Sequence, residues 1–278
     1  GDLEGGIERY QRAIETVTQL KLQTPGNKEY RSQLASMQRS LADLLAEMPD
    51  HDRNAQRDAL LTASQQELES LTQEFESDAR LQTSLAQTLS SLGASRRARD
   101  PALATRALER AAALFETLIA AGSNPASVEG NRGRGEEDRR WVAWFGRGRV
   151  RHELGLIAED RRDLESARTL YDTALADMTA AAERTANLPL YVRQRLTAVR
   201  RQAGRLALRQ GRLDDAERAV GTSHREHSAA LEADRESWRV AWALAQDGWA
   251  LSDLQARRLR AAEADRELAR VQEMLKGF

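Results

Sequence analysis

Apolar residues recur along this chain at three- and four-residue spacing, the period of one buried stripe on a helix. Nowhere do β-branched or aromatic residues alternate with polar ones for long enough to predict a strand. Ile7, Tyr10, Ile14 and Val17 predict a helix over 3–22, broken by Thr24-Pro25-Gly26-Asn27. Leu34, Met37, Leu41 and Leu45 predict a second over 28–47, ended by Met48-Pro49-Asp50. Leu60, Leu61, Leu68, Leu71 and Phe75 carry a third over 53–76. Leu81, Leu85, Leu89 and Leu92 follow, and Gly93 is predicted to close that helix. Asp100 is placed to cap the next one, with Pro101 at its first position, and Leu103, Leu108, Leu114, Leu118 and Ile119 extend it to Gly122. Beyond a glycine-rich stretch, helices are predicted over 139–159, 164–185, 191–209, 213–231, 237–254 and 258–275, with Asn187-Leu188-Pro189 as a further break. The fold class is all-α.

The connections between these helices repeat. In the stretch from Ala203 to Val220, Gly204 sits where a neighbouring backbone comes close, and Gly211 can take the left-handed conformation that ends a helix. Asp214 and Asp215 put negative charge in the next first turn, and Ala216 is small enough for close packing. Leu154-Gly155, Arg162-Asp163 and Ala167 with Tyr171 form a second copy, and Gly1-Asp2 to Tyr10 looks like half of another. The turn marks fall at Asp2, Asp50, Asp100, Asp163 and Arg212, in steps of 48, 50, 63 and 49. The long step holds Ser123 to Glu136, rich in Gly, Asn and Ser, and without it the step is close to the others. These residues resemble the tetratricopeptide repeat, with units of about 49 residues in place of the usual ~34. The resemblance implies a right-handed α-solenoid of antiparallel helix pairs running over 1–278 as one domain, with a flexible loop inserted at 123–138. It also implies the sensing or scaffolding part of a larger bacterial multidomain protein. A first residue, Gly1, lying in mid-repeat predicts a fragment.

Composition narrows the chemistry. The net charge is −1, so no global field draws the chain to nucleic acid or to an anionic membrane. There is no cysteine, which excludes disulfides and thiolate metal sites. No run approaches the ~18 apolar residues of a membrane span, and a cytoplasmic location is the working expectation. His224 and His227 are spaced to reach one metal from one helix, but a third ligand is lacking, so no metal and no cofactor is expected. Gly130 to Gly135 precede no Lys-Ser/Thr pair and follow no strand, which makes a mobile loop the better reading than a phosphate cradle. The acid pair Asp214-Asp215 reads as a helix start, and no catalytic motif is present; an enzyme is not expected.

The pattern that points to a ligand is basic and aromatic. From Arg184 to Arg212 there are eight arginines and no acid, and Arg201, Arg205 and Arg209 share one helix face. Setting Gly155 and Gly248 level with Gly204 puts His152 level with Arg201, and brings Trp242 and Trp249 onto the same inner face. Trp141, Phe145 and Trp238 extend that face in either direction. The expected site is a concave groove of Trp141, Phe145, His152, Arg201, Arg205, Arg209, Trp238, Trp242 and Trp249. It would bind a partner protein, an acidic peptide segment or another domain of the same polypeptide. Two alternatives stand beside it. The arginines would grip phosphates and the tryptophans stack bases of a nucleic acid, which the balanced charge disfavours. Or the arginines are paired with acids of neighbouring helices and the tryptophans are core.

Overall fold

A computed structural model describes residues 3–48, 53–122, 140–185, 189–235, 237–258 and 261–276. Among these residues there are eleven α-helices and no strand. They are α1 (Leu3–Gln23), α2 (Lys28–Leu45), α3 (Arg53–Glu74), α4 (Ala79–Arg96), α5 (Pro101–Gly122), α6 (Arg140–Asp160), α7 (Leu164–Glu183), α8 (Leu190–Arg209), α9 (Leu213–Ala233), α10 (Trp238–Arg257) and α11 (Ala261–Leu275). No helix is long and apolar enough to cross a membrane, among the described residues. The expected loop at 123–138 and the breaks at Pro49-Asp50 and Asn187-Leu188 lie outside the described residues.

The starts of α2, α4, α5 and α7 follow from short polar side chains that satisfy free N–H groups of the first turn. Asn27 accepts from the backbone N–H groups of Glu29 (2.9 Å) and Tyr30 (3.2 Å). Asp100 accepts from Leu103 N–H at 2.9 Å, with Pro101 opening α5 as predicted. Gly93 behaves otherwise than expected. It lies inside α4, buried, and an added Cβ would stand 2.5 Å from Leu108 Cγ. It marks the close approach of α4 and α5, and α4 runs on past it to Arg96.

The helices gather into two units, Gly1–Ile157 and Ala158–Phe278. In the first, consecutive helices from α1 to α5 pack on one another, and α2 also touches α4. One core runs through it, with Leu68, Leu71, Leu85, Leu89, Leu108 and Phe115 at its centre and Val150 and Ile157 of α6 at its end. The hydroxyl of Ser64, fully buried, donates to Ala35 O at 2.8 Å and meets Thr88 Oγ1 at 3.2 Å. Its polarity is thereby satisfied inside the core. Across α2 and α3, Arg31 donates to Glu67 (2.5 Å), Glu74 (2.7 Å) and Ser70 (2.9 Å), and Lys21 joins on Glu67.

In the second unit α7 to α11 pack consecutively, and α8 also touches α10. The α6–α7 and α8–α9 turns are built alike. Gly211 has φ 74°, and Arg162 holds the matching position with φ 63°. In each turn the following N–H bonds back to close the helix end, Arg212 N–H to Ala207 O and Asp163 N–H to Ala158 O, both at 2.9 Å. This is the left-handed helix stop read at Gly211.

Candidate functional site

The second unit carries the candidate surface, and two glycines set it. A Cβ on Gly204 would lie 2.6 Å from Val220 Cγ2, so α8 presses that position against α9. A Cβ on Gly248 would lie 2.3 Å from Val271 Cγ2, so α10 presses the equivalent position against α11. The residues one step on, Arg205 and Trp249, therefore hold equivalent places on two helices whose backbones approach within 8 Å of each other. Both are exposed. Trp242, two turns before Trp249, packs edge-on against it, with ring centroids 5.4 Å apart and an interplanar angle of 84°. The pair remains 45% and 39% exposed, and Trp238 is 63% exposed. Side chains of that size and exposure are surplus to the core.

The arginines of α8 divide into matched and unmatched. Arg209 pairs with Glu159, which also accepts from Tyr171 Oη (2.7 Å) and Gln202 Nε2 (2.8 Å). Arg200 pairs with Glu226, which also accepts from Thr197 Oγ1 at 2.6 Å. Arg212, just beyond the helix, pairs with Asp215 at 2.8 Å. The acid-free run therefore does not leave these cations free, because acids of other helices reach them. Arg209 is to that extent withdrawn from the expected ladder. Arg205 has no ion pair among the described residues. Arg201 is half-buried, and its Nε and Nη1 are shielded from solvent without a hydrogen-bond partner. Burial pushes its guanidinium below the ordinary arginine value, the charge of Asp247 opposes this, and Arg205 adds to it.

Beneath lies a cluster that sequence reasoning missed. Asp247 is fully buried on α10. Its carboxylate accepts from Ser223 Oγ, 2.9 Å from each oxygen, and from His227 Nδ1 at 2.6 Å. Serine, histidine and aspartate together invite comparison with a nucleophilic triad, but the geometry differs. The hydroxyl sits on the carboxylate and 3.4 Å from the same ring nitrogen, whereas a triad serine bonds the opposite nitrogen. Ser223 is also wholly buried. The signal in the sequence was an acid at position 247 on the apolar stripe of Leu244 and Leu251, where only a paired group is tolerated. His227, considered with His224 for a metal, turns instead to this carboxylate.

The remaining expected residues belong to the first unit. The Trp141 and Phe145 rings meet at a tilt of 53° with centroids 6.2 Å apart, but Phe145 is 5% exposed and lies in the core. His152 is 7% exposed. Both are interior, so neither offers a face to a partner; Trp141 is half-buried. An open cavity in the same unit is lined by Lys28, Phe75, Asp78 and Arg80. Lys28 bonds Asp78 and lies 4.5 Å over the Phe75 ring, so its charge is already matched.

No protein-family profile and no curated protein matches this chain. Among solved structures it is similar to the crystal structure of BtubC (BKLC) from P. vanneervenii, with a TM-score of 0.60 at 17% identity, over 100% of this chain and 92% of that one. At that identity the likeness shows the helical fold and no more.

Proposed function

We propose that this protein is a non-enzymatic interaction module that holds an acidic segment of a partner protein on the α8–α10 face. The helix pairs are read as long-helix relatives of the tetratricopeptide repeat, stacked with a right-handed turn within each unit. The observation that carries the proposal is the exposed Trp242–Trp249 pair set level with Arg205, an exposed cation lacking an acid on a helix where Arg200 and Arg209 are matched. Tryptophan and arginine are the side chains that most often anchor interfaces, through apolar area and bidentate contacts to carboxylates. The partner is a separate protein or a further domain of the same polypeptide.

The test is fluorescence anisotropy of a labelled Glu-rich peptide with the wild type and with Arg205→Gln. Binding that weakens about tenfold or more in the variant is expected, the size of one charge-assisted contact. Equal affinity in both proteins, or none in either, rejects the proposal. Nucleic-acid binding is disfavoured, because three of the cations it would use, Arg200, Arg209 and Arg212, are already bonded to carboxylates.

A further inference from the structure

In the first unit, the surroundings of Arg57 near the start of α3 hold more cations than acids. Two carboxylates act there, and each is already taken by one arginine. Asp43 accepts from Arg39 at 3.2 Å. Asp58 accepts from Arg96, whose Nε lies 3.2 Å from each oxygen and whose Nη2 lies 3.1 Å from one, and from Ser95 Oγ at 3.2 Å. Arg57 and Arg99 are left without an acid of their own. Arg99, in the turn between α4 and α5, comes only to 3.5 Å from Asp58, and its side chain is 50% exposed. Arg57 is half-buried and has no ion pair among the described residues. Its Nη1 donates to Asn54 Oδ1 at 3.2 Å, its Nε is shielded from solvent with no acceptor, and its Nη2, which is not shielded, bonds to nothing. Burial pushes this guanidinium below the ordinary arginine value; Asp43 opposes the shift, the charge of Arg99 adds to it, and Asp58 opposes it. Two like charges are thus held near each other, one of them partly out of water, and both keep unused donors. An anion between them offsets the repulsion and fills the donors.

We propose that Arg57 and Arg99 form a binding site for a phosphate group, free or as an ester. The surplus of two cations matches the charge of such a group, which approaches −2 at about pH 7. Its shape fits better than that of a carboxylate. A carboxylate has two oxygens in one plane, and a single guanidinium fork occupies both. A phosphate ester keeps three acceptor oxygens around one atom, so guanidiniums from two elements can each engage it. Asp58 does not repel the ligand strongly, because Arg96 and Ser95 already satisfy its carboxylate. Asn54 holds one arm of the Arg57 fork and so sets its plane. The site lies wholly within the first unit and is independent of the α8–α10 face.

The experiment compares the melting temperature of the full chain in inorganic phosphate and in chloride at equal ionic strength, for the wild type, Arg57→Gln and Arg99→Gln. A ligand that binds only the folded state raises its stability, so the wild type should melt higher in phosphate and the variants should gain little or nothing. Exclusion of phosphate from the protein surface raises all three alike, and that outcome overturns the inference, as does no rise in the wild type. If Arg57→Gln fails to fold, Arg57→Lys takes its place, since it keeps the charge and loses the fork. Calorimetric titrations with inorganic phosphate and with O-phosphoserine then separate the two sources. Equal affinity assigns free phosphate, and binding of O-phosphoserine about tenfold tighter assigns an ester. In either case Arg99→Gln should weaken binding by about tenfold, the size of one charge-assisted contact. Absence of binding to both probes, or binding unchanged in Arg99→Gln, overturns the site.

Discussion

His227 Nδ1 and Asp247 Oδ2 meet 2.6 Å apart in the interior of the second unit, joining α9 to α10. Ser223 adds its hydroxyl to the same carboxylate, and Arg201 of α8 feels its charge, so one buried anion ties three helices together. Removing one partner of a buried ionic cluster leaves the others desolvated and unmatched, at about 3–5 kcal/mol. Asp247→Ala should therefore lower the urea unfolding free energy by an amount in that range. Asp247→Asn, which keeps the shape and an acceptor, should lose less. A drop below about 1 kcal/mol for the alanine variant would show that the cluster carries no weight.

Arg162 holds a left-handed φ of 63° that Gly211 holds without penalty in the matching turn. A side chain in that region costs roughly 1–2 kcal/mol, partly offset by its lower freedom in the unfolded chain. Arg162→Gly should raise the melting temperature. Gly211→Ala should lower it through the backbone alone, because nothing lies within 4 Å of an added Cβ there. Differential scanning calorimetry of both variants checks the pair, and a fall for Arg162→Gly contradicts it.

Gly204 has room for no side chain. Its Cβ would meet Val220 Cγ2 at 2.6 Å and Val220 N, a backbone atom, at 3.1 Å. Gly204→Leu should cost at least the ~1–3 kcal/mol typical of overpacking, measured by chemical denaturation. An unchanged midpoint would mean that α8 and α9 do not approach at this residue, and the register that places Arg205 beside Trp249 would fall with it.

Acid should weaken the first unit. Burial alone would raise the Glu67 carboxyl, but hydrogen bonds and charges from Lys21 and Arg31 hold it below the usual range. Asp58 is likewise held down, against its burial, by Arg96, Ser95 and Arg99. A carboxylate depressed in the folded state contributes stability that is present above its unfolded pKa of about 4 and is lost as pH falls through the folded value. The melting temperature should decline below about pH 4, and Glu67→Gln should start lower at pH 7 and decline less. A Glu67→Gln curve parallel to the wild type contradicts this assignment.

The helices were legible because their breaks are chemical and local: Asn27 and Asp100 cap, Pro101 opens, and Gly211 turns. Gly93 was misread because a glycine serves equally as a helix stop and as a place of close approach. Leu108, on the next helix, decides between the two. The exposure of Trp238, Trp242, Trp249 and Arg205 was legible, because it follows from the register of Gly204 and Gly248. The pairing of Arg209 was not legible, because its acid Glu159 lies fifty positions away on another helix. Phe145 and His152 were placed on a face by helical spacing, but packing of the first unit turned both inward.

The central claim is that an acidic segment binds beside Trp242 and Trp249, and the five tryptophans make it directly observable. Each indole N–H gives its own resonance in a ¹⁵N–¹H spectrum, assignable by single Trp→Phe replacements. Titration of a Glu-rich peptide should shift the Trp242 and Trp249 signals in step with peptide concentration, leave Trp141 and Trp144 in place, and lose its effect in Arg205→Gln. Shifts confined to Trp141 and Trp144, or a spectrum unmoved at saturating peptide, would contradict it.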